Sequence, residues 1–326
     1  MSKVSDTCVH IALAADHRYA CGLQATFVSM INACRSSKIL EFHIFDVGLT
    51  QEDKAELNLL GKRFGYLTPI DYIVPDMTRI EEKFEVFHNS YVPMLRLMFP
   101  EILPQLDWVL WADVDTLWFK DPKDLWNLRD EGVSLLWAQD IPSTRKWAKK
   151  IAKWRPNRDE NAYACSGVAL MNLKKMRNDK FVQKCMDFVE KWGVPLFPDQ
   201  DIMNEVCYGD SIFVDRAWDC MYPIDDIQHG LVLHFNCIGH LFDKGRFEGF
   251  FPLFEIWFKY YAEVVEGWGK IQVAAWWKRA LYNLIAVLYP FRKLIAAVAD
   301  KIHPWVSDFI QRLIFFSWLR RKRLWG

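Results

Sequence analysis

Short apolar runs alternate with stretches of helical periodicity through most of the chain. The runs are bounded by polar and turn-forming residues, which predicts strands, and the periodic stretches between them predict helices. Such alternation is typical of an α/β fold in which helices flank a mainly parallel sheet. The predicted strands cover residues 10–15, 39–47, 67–74, 107–112, 132–138, 163–171, a segment near Ile212, and 231–235.

The intervening helices are predicted over residues 19–34, 50–64, 87–103 and 174–192, with another beginning near Asp199. Thr50 is a favourable N-cap residue, and Asp53 three positions later gives the pattern in which two side chains cap the same helix start. The helix over 87–103 is predicted although it contains Pro93.

Polar residues directly follow several of these strands, and ligands of open α/β sheets bind beyond the carboxyl ends of the strands. The candidates placed in this way are residues 16–18, 113–115, Asp140, Ser166 and His234. Neither of the two common glycine-rich phosphate-binding loops occurs in the chain. If a nucleotide binds, other groups must therefore hold its phosphates.

Asp113 and Asp115 follow an apolar strand, so two carboxylates one residue apart project from its end. Oxygen ligands at that spacing suit Mg²⁺ or Mn²⁺, and His234 adds a candidate imidazole ligand. The structural alternative is that the carboxylates only cap the strand end. A second Asp-x-Asp occurs at Asp199 and Asp201, so the spacing alone is not specific.

The composition is that of a globular protein. Of 326 residues, 52% are hydrophobic and 25% are charged, which excludes disorder and a small disulfide-stapled scaffold. The eight cysteines include no Cys-x-x-Cys pair, so a thiolate zinc site is not expected. No signal peptide is recognised and no apolar run approaches the roughly 18 residues that span a bilayer, so we expect a cytoplasmic protein with reduced cysteines.

Residues 267–326 differ in charge from the rest of the chain. They hold 11 Lys and Arg side chains against Asp300 and Asp308, although the whole chain balances 41 basic with 41 acidic side chains. Aromatic and leucine side chains recur there at helical spacing from Trp277 onward. We expect two domains, 1–266 and 267–326, the second being a tail of basic amphipathic helices that binds an anionic membrane surface. The alternative is that these helices pack on the body or on a second subunit.

Four motifs follow one another along the chain: His10-Ile-Ala-Leu-Ala-Ala-Asp16, Trp111-Ala-Asp-Val-Asp115, Cys165-Ser-Gly-Val-Ala-Leu-Met-Asn172 and Pro198-Asp-Gln-Asp-Ile-Met-Asn204. Together they resemble glycosyltransferase family 8, the retaining sugar transferases that include bacterial lipopolysaccharide galactosyl- and glucosyltransferases. The resemblance covers roughly residues 8–245 and implies a GT-A-like fold for the catalytic domain.

The resemblance also implies a donor and a cofactor. Family members bind a nucleotide-sugar, usually UDP-galactose or UDP-glucose, with Mn²⁺ (Mg²⁺ being possible here) bridging the diphosphate. Carried over by position, Asp113 and Asp115 bind the ion and His234 completes its ligands. Ala14 and Asp16 contact the uracil and the ribose.

Further positions follow from the same resemblance: Arg96 contacts the donor, Asp140 holds its sugar, Asp199 and Gln200 lie beside the anomeric carbon, and His88 faces the acceptor. Retention of configuration requires either a carboxylate or amide on the face opposite the leaving group, or attack by the acceptor on the same face. Asp199 and Gln200 are the candidates for the first route, and both routes stay open.

The chain departs from the family at three places. Arg18 and Cys165 stand where family members commonly have Asn, and the closing motif is altered after His234. In family members a Lys of this closing motif contacts the diphosphate. Lys244 or His240 is the candidate to take its place here. These changes bear on the identity of the sugar more than on the metal site.

The sequence thus predicts a metal-dependent hexosyltransferase, peripheral on the cytoplasmic face of the inner membrane, that acts on a lipid-linked or lipopolysaccharide-type glycan. One alternative is an inactive family member that serves as a membrane-bound scaffold. Another is a sugar nucleotidyltransferase, which should carry a basic glycine-rich loop after the first strand. Nucleic acid is not an expected partner, because the tail is too apolar for a solvated phosphate-binding arm.

Overall fold

The computed structural model describes residues 8–84, 91–152, 154, 157–221 and 230–234. The strands in these residues are β1 (Val9–Ala15), β2 (Leu40–Asp46), β3 (Asp71–Ile73), β4 (Trp108–Ala112), β5 (Thr116–Trp118), β6 (Leu135–Gln139), β7 (Ala164–Asn172), β8 (Ser211–Val214), β9 (Cys220–Met221) and β10 (Val232–His234). The α-helices are α1 (Ala20–Ala33), α2 (Gln51–Arg63), α3 (Thr78–Lys83), α4 (Phe99–Ile102), α5 (Pro122–Trp126), α6 (Pro142–Ile151), α7 (Leu173–Asn178), α8 (Phe181–Trp192) and α9 (Pro198–Val206).

The central sheet has seven strands in the order β3-β2-β1-β4-β7-β6-β8. Its neighbouring strands are parallel except around β7, which runs antiparallel to both β4 and β6. The predicted α/β fold with a mainly parallel sheet is therefore confirmed. Because β7 is reversed, its first residues lie at the edge of the sheet where β4 and β6 end.

A second sheet of three strands, in the order β5-β10-β9, was not predicted. β10 is antiparallel to β5 and parallel to β9. Because β5 begins one residue after Asp115, this small sheet brings the last described residues of the chain beside the end of β4.

Apolar side chains cover both faces of the central sheet, and all seven residues of β1 are buried. Ile11 packs in one cluster with Phe27 of α1, whereas Trp111 packs in a second cluster with Phe188 of α8. A strand that is covered on both faces needs a continuous apolar run, which explains why the pattern of the first strand was easy to recognise.

The start of α2 confirms the predicted capping pattern. The Asp53 backbone N–H donates to Thr50 Oγ1 at 3.1 Å, and the Thr50 backbone N–H donates to Asp53 Oδ2 at 2.8 Å.

None of the helices among the described residues is long and apolar enough to span a bilayer.

Two predicted helices and one predicted strand differ from the structure. In the described part of 87–103, a 3₁₀-helix (Val92–Met98) precedes the short α4, because Pro93 and Pro100 lack the N–H that a continuous α-helix needs. The helix predicted over 174–192 is divided into α7 and α8 at Lys180, whose φ of 55° is left-handed. The strand predicted over 67–74 is reduced to β3, since prolines flank this edge strand on both sides.

Candidate active site

The turn that carries Asp113 and Asp115 is fixed by hydrogen bonds from several elements. The Asp113 backbone N–H donates to the Gly167 carbonyl at 2.8 Å, and Thr116 Oγ1 donates to the Asp113 carbonyl at 2.8 Å. Helix α1 approaches so closely that a Cβ on Gly22 would lie 2.5 Å from the Val114 carbonyl oxygen. Only glycine allows this approach, so the two carboxylates project from a rigid turn.

His234 lies opposite this turn because β10 pairs with β5 in a register that places His234 across from Thr116. Its Nε2 is 3.3 Å from Asp115 Oδ1 and 3.7 Å from Asp113 Oδ2. One ligand atom from each of the three residues lies within 4.8 Å of the others. The structure therefore brings together the three residues predicted to bind a metal ion.

The other imidazole nitrogen is held by Asp219, which the sequence analysis missed. Asp219 is buried, and its Oδ1 lies 2.7 Å from His234 Nδ1. A carboxylate in this place holds the proton on Nδ1 and leaves Nε2 to face Asp113 and Asp115, as the outer carboxylate does in many histidine metal sites. No periodic pattern marks Asp219, since it ends a short 3₁₀-helix (Arg216–Asp219).

The charges of this cluster fit a cation. Burial raises the pKa of Asp113 to about 6, and the neighbouring carboxylate of Asp115 adds to that rise against the opposing effect of Arg96. Burial alone would lower the pKa of His234, but the carboxylates of Asp219 and Asp115 raise it well above its ordinary value. The carboxylates thus stabilise positive charge at this point, and two hard oxygen donors with one imidazole suit Mn²⁺ or Mg²⁺.

Arg96 connects Asp113 with the start of α9. It is buried, its Nη2 donates to Asp113 Oδ1 at 2.6 Å, and its Nη1 lies 3.3 Å from Asp199 Oδ2. The guanidinium also stacks on the Trp111 ring, 4.4 Å from its centroid. Arg96 thus pairs with buried carboxylates and not with the surface acid Glu101, which pairs with Arg79.

Gln200 lies in the first turn of α9 and is held from three sides. Its Nε2 donates to Asp140 Oδ2 at 2.8 Å and to the Tyr163 hydroxyl at 3.1 Å. Its Oε1 accepts from the Ser166 backbone N–H at 3.1 Å. The hydroxyl of Tyr163 donates in turn to Asp201 Oδ1 at 2.7 Å. These buried bonds fix the amide, and they join the predicted Asp140 and Gln200 to Tyr163 and Asp201, which were given no role.

Asp199 occupies the same turn but has a different environment. The N-cap of α9 is Phe197, so Asp199 lies inside the first turn and does not cap the helix. Its Oδ2 is buried and has no hydrogen-bond donor among the described residues, although Arg96 lies within ion-pair distance. The accepting capacity of this oxygen is therefore unused.

Ala14 and Asp16 lie at the carboxyl end of β1, next to β4 in the sheet. Asp16 caps the turn that follows β1, because its Oδ1 accepts from the Tyr19 backbone N–H at 3.2 Å. Its Oδ2 accepts from Arg18 Nη2 at 2.7 Å, so Arg18, where family members commonly have Asn, is joined to this carboxylate. The cap and the ion pair hold Asp16 at the edge where Asp113 also emerges.

Cys165 also stands where family members commonly have Asn. It lies next to the imidazole of His234, with its Sγ 3.8 Å from Nδ1. Burial raises the pKa of this thiol well above its ordinary value, so it packs as a neutral group. The positions of His88, His240, Lys244 and the tail 267–326 lie outside the described residues.

The chain is similar to known glycosyltransferases. The model of a family described as glycosyl transferase family 8 matches residues 10–237. The chain is similar to a putative glycosyltransferase of Haemophilus influenzae, with 25% identity over 220 residues that cover 65% of this chain and 63% of the relative. It is also similar to a lipopolysaccharide 1,2-glucosyltransferase of Escherichia coli, with 28% identity over 120 residues that cover 36% of this chain and 35% of that enzyme.

Among solved structures, the galactosyltransferase LgtC in complex with donor and acceptor sugar analogs superimposes with a TM-score of 0.62 at 20% identity. The match covers 80% of this chain and 99% of that one, and it shows that the fold is GT-A-like. The chain spans less than two thirds of the length of the Haemophilus influenzae and Escherichia coli relatives.

Proposed function

The chain belongs to glycosyltransferase family 8, and on that basis we propose that it is a metal-dependent, retaining hexosyltransferase. It moves galactose or glucose from a UDP-sugar to a glycan acceptor of the lipopolysaccharide or lipid-linked type. The observation that supports this proposal is that Asp113, Asp115 and His234 lie close together. Arg96 and Asp199 lie beside them. The group is at the edge of the sheet where ligands of α/β folds bind.

The donor site is assigned from this cluster. Asp113, Asp115 and His234 hold Mn²⁺ or, alternatively, Mg²⁺. When bound, the ion stabilises the negative charge that develops on the leaving diphosphate. Ala14 and Asp16 end the adjacent strand and contact the base and the ribose, which accounts for nucleotide binding without a glycine-rich loop.

The sugar of the donor is positioned by α9 and its buried partners. Asp140 fixes Gln200, and the unbonded Oδ2 of Asp199 accepts a hydrogen bond from a sugar hydroxyl. Arg96 holds Asp199 and Asp113 in one arrangement, so the sugar and the diphosphate are aligned by the same guanidinium. Asp199 and Gln200 are the groups nearest the reacting carbon in either route to retention.

The acceptor and the membrane surface complete the proposal. Similarity to the Escherichia coli lipopolysaccharide 1,2-glucosyltransferase supports a surface glycan as acceptor, with His88 facing it and Lys244 contacting the diphosphate. The basic amphipathic tail 267–326 binds anionic lipid on the cytoplasmic face, which raises the effective concentration of a lipid-carried acceptor.

The donor site is tested by thermal unfolding and by sugar release with UDP-galactose, UDP-glucose and other nucleotide-sugars, each with and without Mn²⁺. Ligand at a hundredfold excess over its Kd stabilises a protein by about 2.7 kcal/mol. We expect the stability to increase in this way only when the metal and one nucleotide-sugar are both present. Slow release of that sugar should accompany the increase. Stabilisation without sugar release would support the inactive scaffold instead.

Two variants sharpen this test. The double variant Asp113→Asn, Asp115→Asn should lose both the stabilisation and the hydrolysis. The control Asp187→Asn, Glu190→Gln removes two exposed carboxylates from α8 and should behave as the parent. A metal-dependent response that persists in the first variant would show that the donor site lies elsewhere.

Membrane binding is tested by sedimentation of the full chain with vesicles. Anionic vesicles should retain the protein and zwitterionic ones should not. Replacing the four basic residues 320–323 with Gln should weaken retention, because each basic side chain near an anionic surface contributes about 1 kcal/mol. Equal retention on both kinds of vesicle would contradict the electrostatic part of the proposal.

A further inference from the structure

A second group of possible metal ligands lies on the first three strands, nearer their starts than the carboxyl edge that holds the candidate active site. His10 is the second residue of β1 and is paired in register with Glu41 of β2. His43 lies two positions after Glu41, on the same side of its strand, and is paired with Asp71 of β3. The strand pairing therefore gathers two imidazoles and two carboxylates from three neighbouring strands.

The distances among these side chains fit ligation of one ion. His10 Nδ1 lies 3.2 Å from His43 Nε2 and 3.3 Å from Glu41 Oε2. All three ligand atoms lie within 4.8 Å of one another. Tetrahedral Zn²⁺ holds nitrogen and oxygen ligands at about 2.0 to 2.2 Å, which places ligand atoms about 3.3 Å apart.

The second nitrogen of His43 has the partner that metal-bound histidines usually have. Asp71 Oδ2 lies 2.9 Å from His43 Nδ1. A proton on Nδ1 that is donated to this carboxylate leaves the lone pair of Nε2 directed at His10 and Glu41. The arrangement repeats that of Asp219 and His234 in the candidate active site.

The two imidazoles of this group are buried, whereas its glutamate is partly exposed. The side chains of His10 and His43 are 10% and 9% exposed, whereas that of Glu41 is 39% exposed. An ion bound here would enter from the side of the more exposed Glu41, where water would supply the fourth ligand.

We propose that His10, Glu41 and His43 form a structural Zn²⁺ site that cross-links β1 and β2, with Asp71 positioning His43. Two imidazoles and one carboxylate favour zinc, whereas the two carboxylates and one imidazole of the Asp113 cluster favour harder ions. The two sites are therefore selective for different metals in one domain.

The test uses the full, tag-free chain carrying Asp113→Asn, Asp115→Asn and His234→Asn, which together remove the Asp113 cluster and the further possible ligand group of Cys165, Asp219 and His234. After removal of metals with a chelator, the protein is titrated with Co²⁺, whose visible absorption reports four-coordinate geometry. We expect one equivalent of Co²⁺ to give this absorption and Zn²⁺ to displace it. The melting temperature should rise with the Zn²⁺ concentration.

Substitutions assign the ligands. His43→Asn should abolish the absorption. Glu41→Gln, at a half-exposed side chain that can change without loss of the fold, should weaken binding at least tenfold. Asp71→Asn should weaken it about 10- to 100-fold by releasing His43. The control Glu52→Gln on the exposed face of α2 should bind as the parent does.

Two results would overturn the proposal. One is the absence of four-coordinate Co²⁺ absorption in the test protein with His10, Glu41 and His43 unchanged. The two imidazoles would then be only a hydrogen-bonded pair. The other is unchanged affinity in Glu41→Gln and Asp71→Asn, measured on variants whose unfolding remains cooperative.

Discussion

Gly167 provides the space that the imidazole of His234 occupies. A Cβ built on Gly167 would lie 2.5 Å from Nδ1 and 2.9 Å from Nε2, and nearer still to Cε1. Gly167→Ala should therefore displace the ring from Asp113 and Asp115, lower stability by about 1 to 3 kcal/mol and weaken Mn²⁺ binding. Calorimetric titration with Mn²⁺ and urea unfolding measure the two effects.

The control for this prediction is Gly209→Ala, which lies at a φ of +78° with no atom within 4 Å of its built Cβ. It should lower stability by about 1 kcal/mol through backbone strain and leave Mn²⁺ affinity unchanged. Equal Mn²⁺ affinity in Gly167→Ala and the parent would show that the ring of His234 is not a ligand.

Asp219 should act through His234 and not by itself. Asp219→Asn replaces the carboxylate that lies 2.7 Å from Nδ1 with a neutral amide, and we expect Mn²⁺ affinity to fall about 10- to 100-fold. Asp215→Asn is the matched control, because Asp215 caps the same 3₁₀-helix from an exposed position. Similar losses of affinity in both variants would indicate a general disturbance of this segment.

Arg96 should not be replaceable by lysine. Arg96→Lys keeps the charge, but one ammonium group cannot reach Asp113 and Asp199 together while it stacks on Trp111. We expect stability to fall by about 1 to 3 kcal/mol and sugar release to slow. Arg79→Lys, on the exposed pair with Glu101, should change stability by less than about 1 kcal/mol; a comparable loss there would contradict the special role of Arg96.

Tyr163 should be needed for stability and for the placement of Gln200. Tyr163→Phe removes a hydroxyl that donates to Asp201 and accepts from Gln200. We expect the unfolding free energy to fall by about 1.5 to 3 kcal/mol, the usual range for a bond to a charged group, and kcat to fall more than KM rises. Tyr72→Phe, whose hydroxyl makes a 3.3 Å bond to the Lys54 carbonyl, serves as control and should have the smaller effect in both measurements.

Asp46 should make the free energy of unfolding depend on pH in the acidic range. Burial would raise its pKa, but hydrogen bonds from Lys54 and from the Leu49 and Gly48 amides lower it below its ordinary value. Because the folded pKa is the lower one, this stabilisation is complete above the unfolded value of about 3.9. It is lost as the pH falls through the folded value.

The corresponding measurement compares urea unfolding of the parent and Asp46→Asn. The difference in unfolding free energy should be constant above about pH 5 and shrink below about pH 4. A difference that shrinks instead as the pH rises would mean that Asp46 is not ionised in the folded protein.

The inner strands of the central sheet were predictable because burial on both faces demands continuous apolar runs. Asp113 and Asp115 follow one such run, and His234 ends a short apolar strand. The reversed direction of β7 was not predictable, since all nine of its residues are buried and a strand covered on both faces is a continuous apolar run whichever way it runs. The pairing of Arg96 with Asp199 depends on packing between distant segments. Asp219 gave no signal, because a single acid before a two-residue strand resembles any turn residue.

The late position of His234 in the chain has a consequence for biosynthesis. Proteins emerge from the ribosome beginning with their N-terminal residues, so β1, β4 and the Asp113 turn are made long before β10. A chain that stalls before His234 contains most of the sheet but lacks the imidazole that completes the cluster. Under the function proposed above, the ability to split a nucleotide-sugar would then be acquired only after β10 is made, and a chain that ends before it would not hydrolyse the donor.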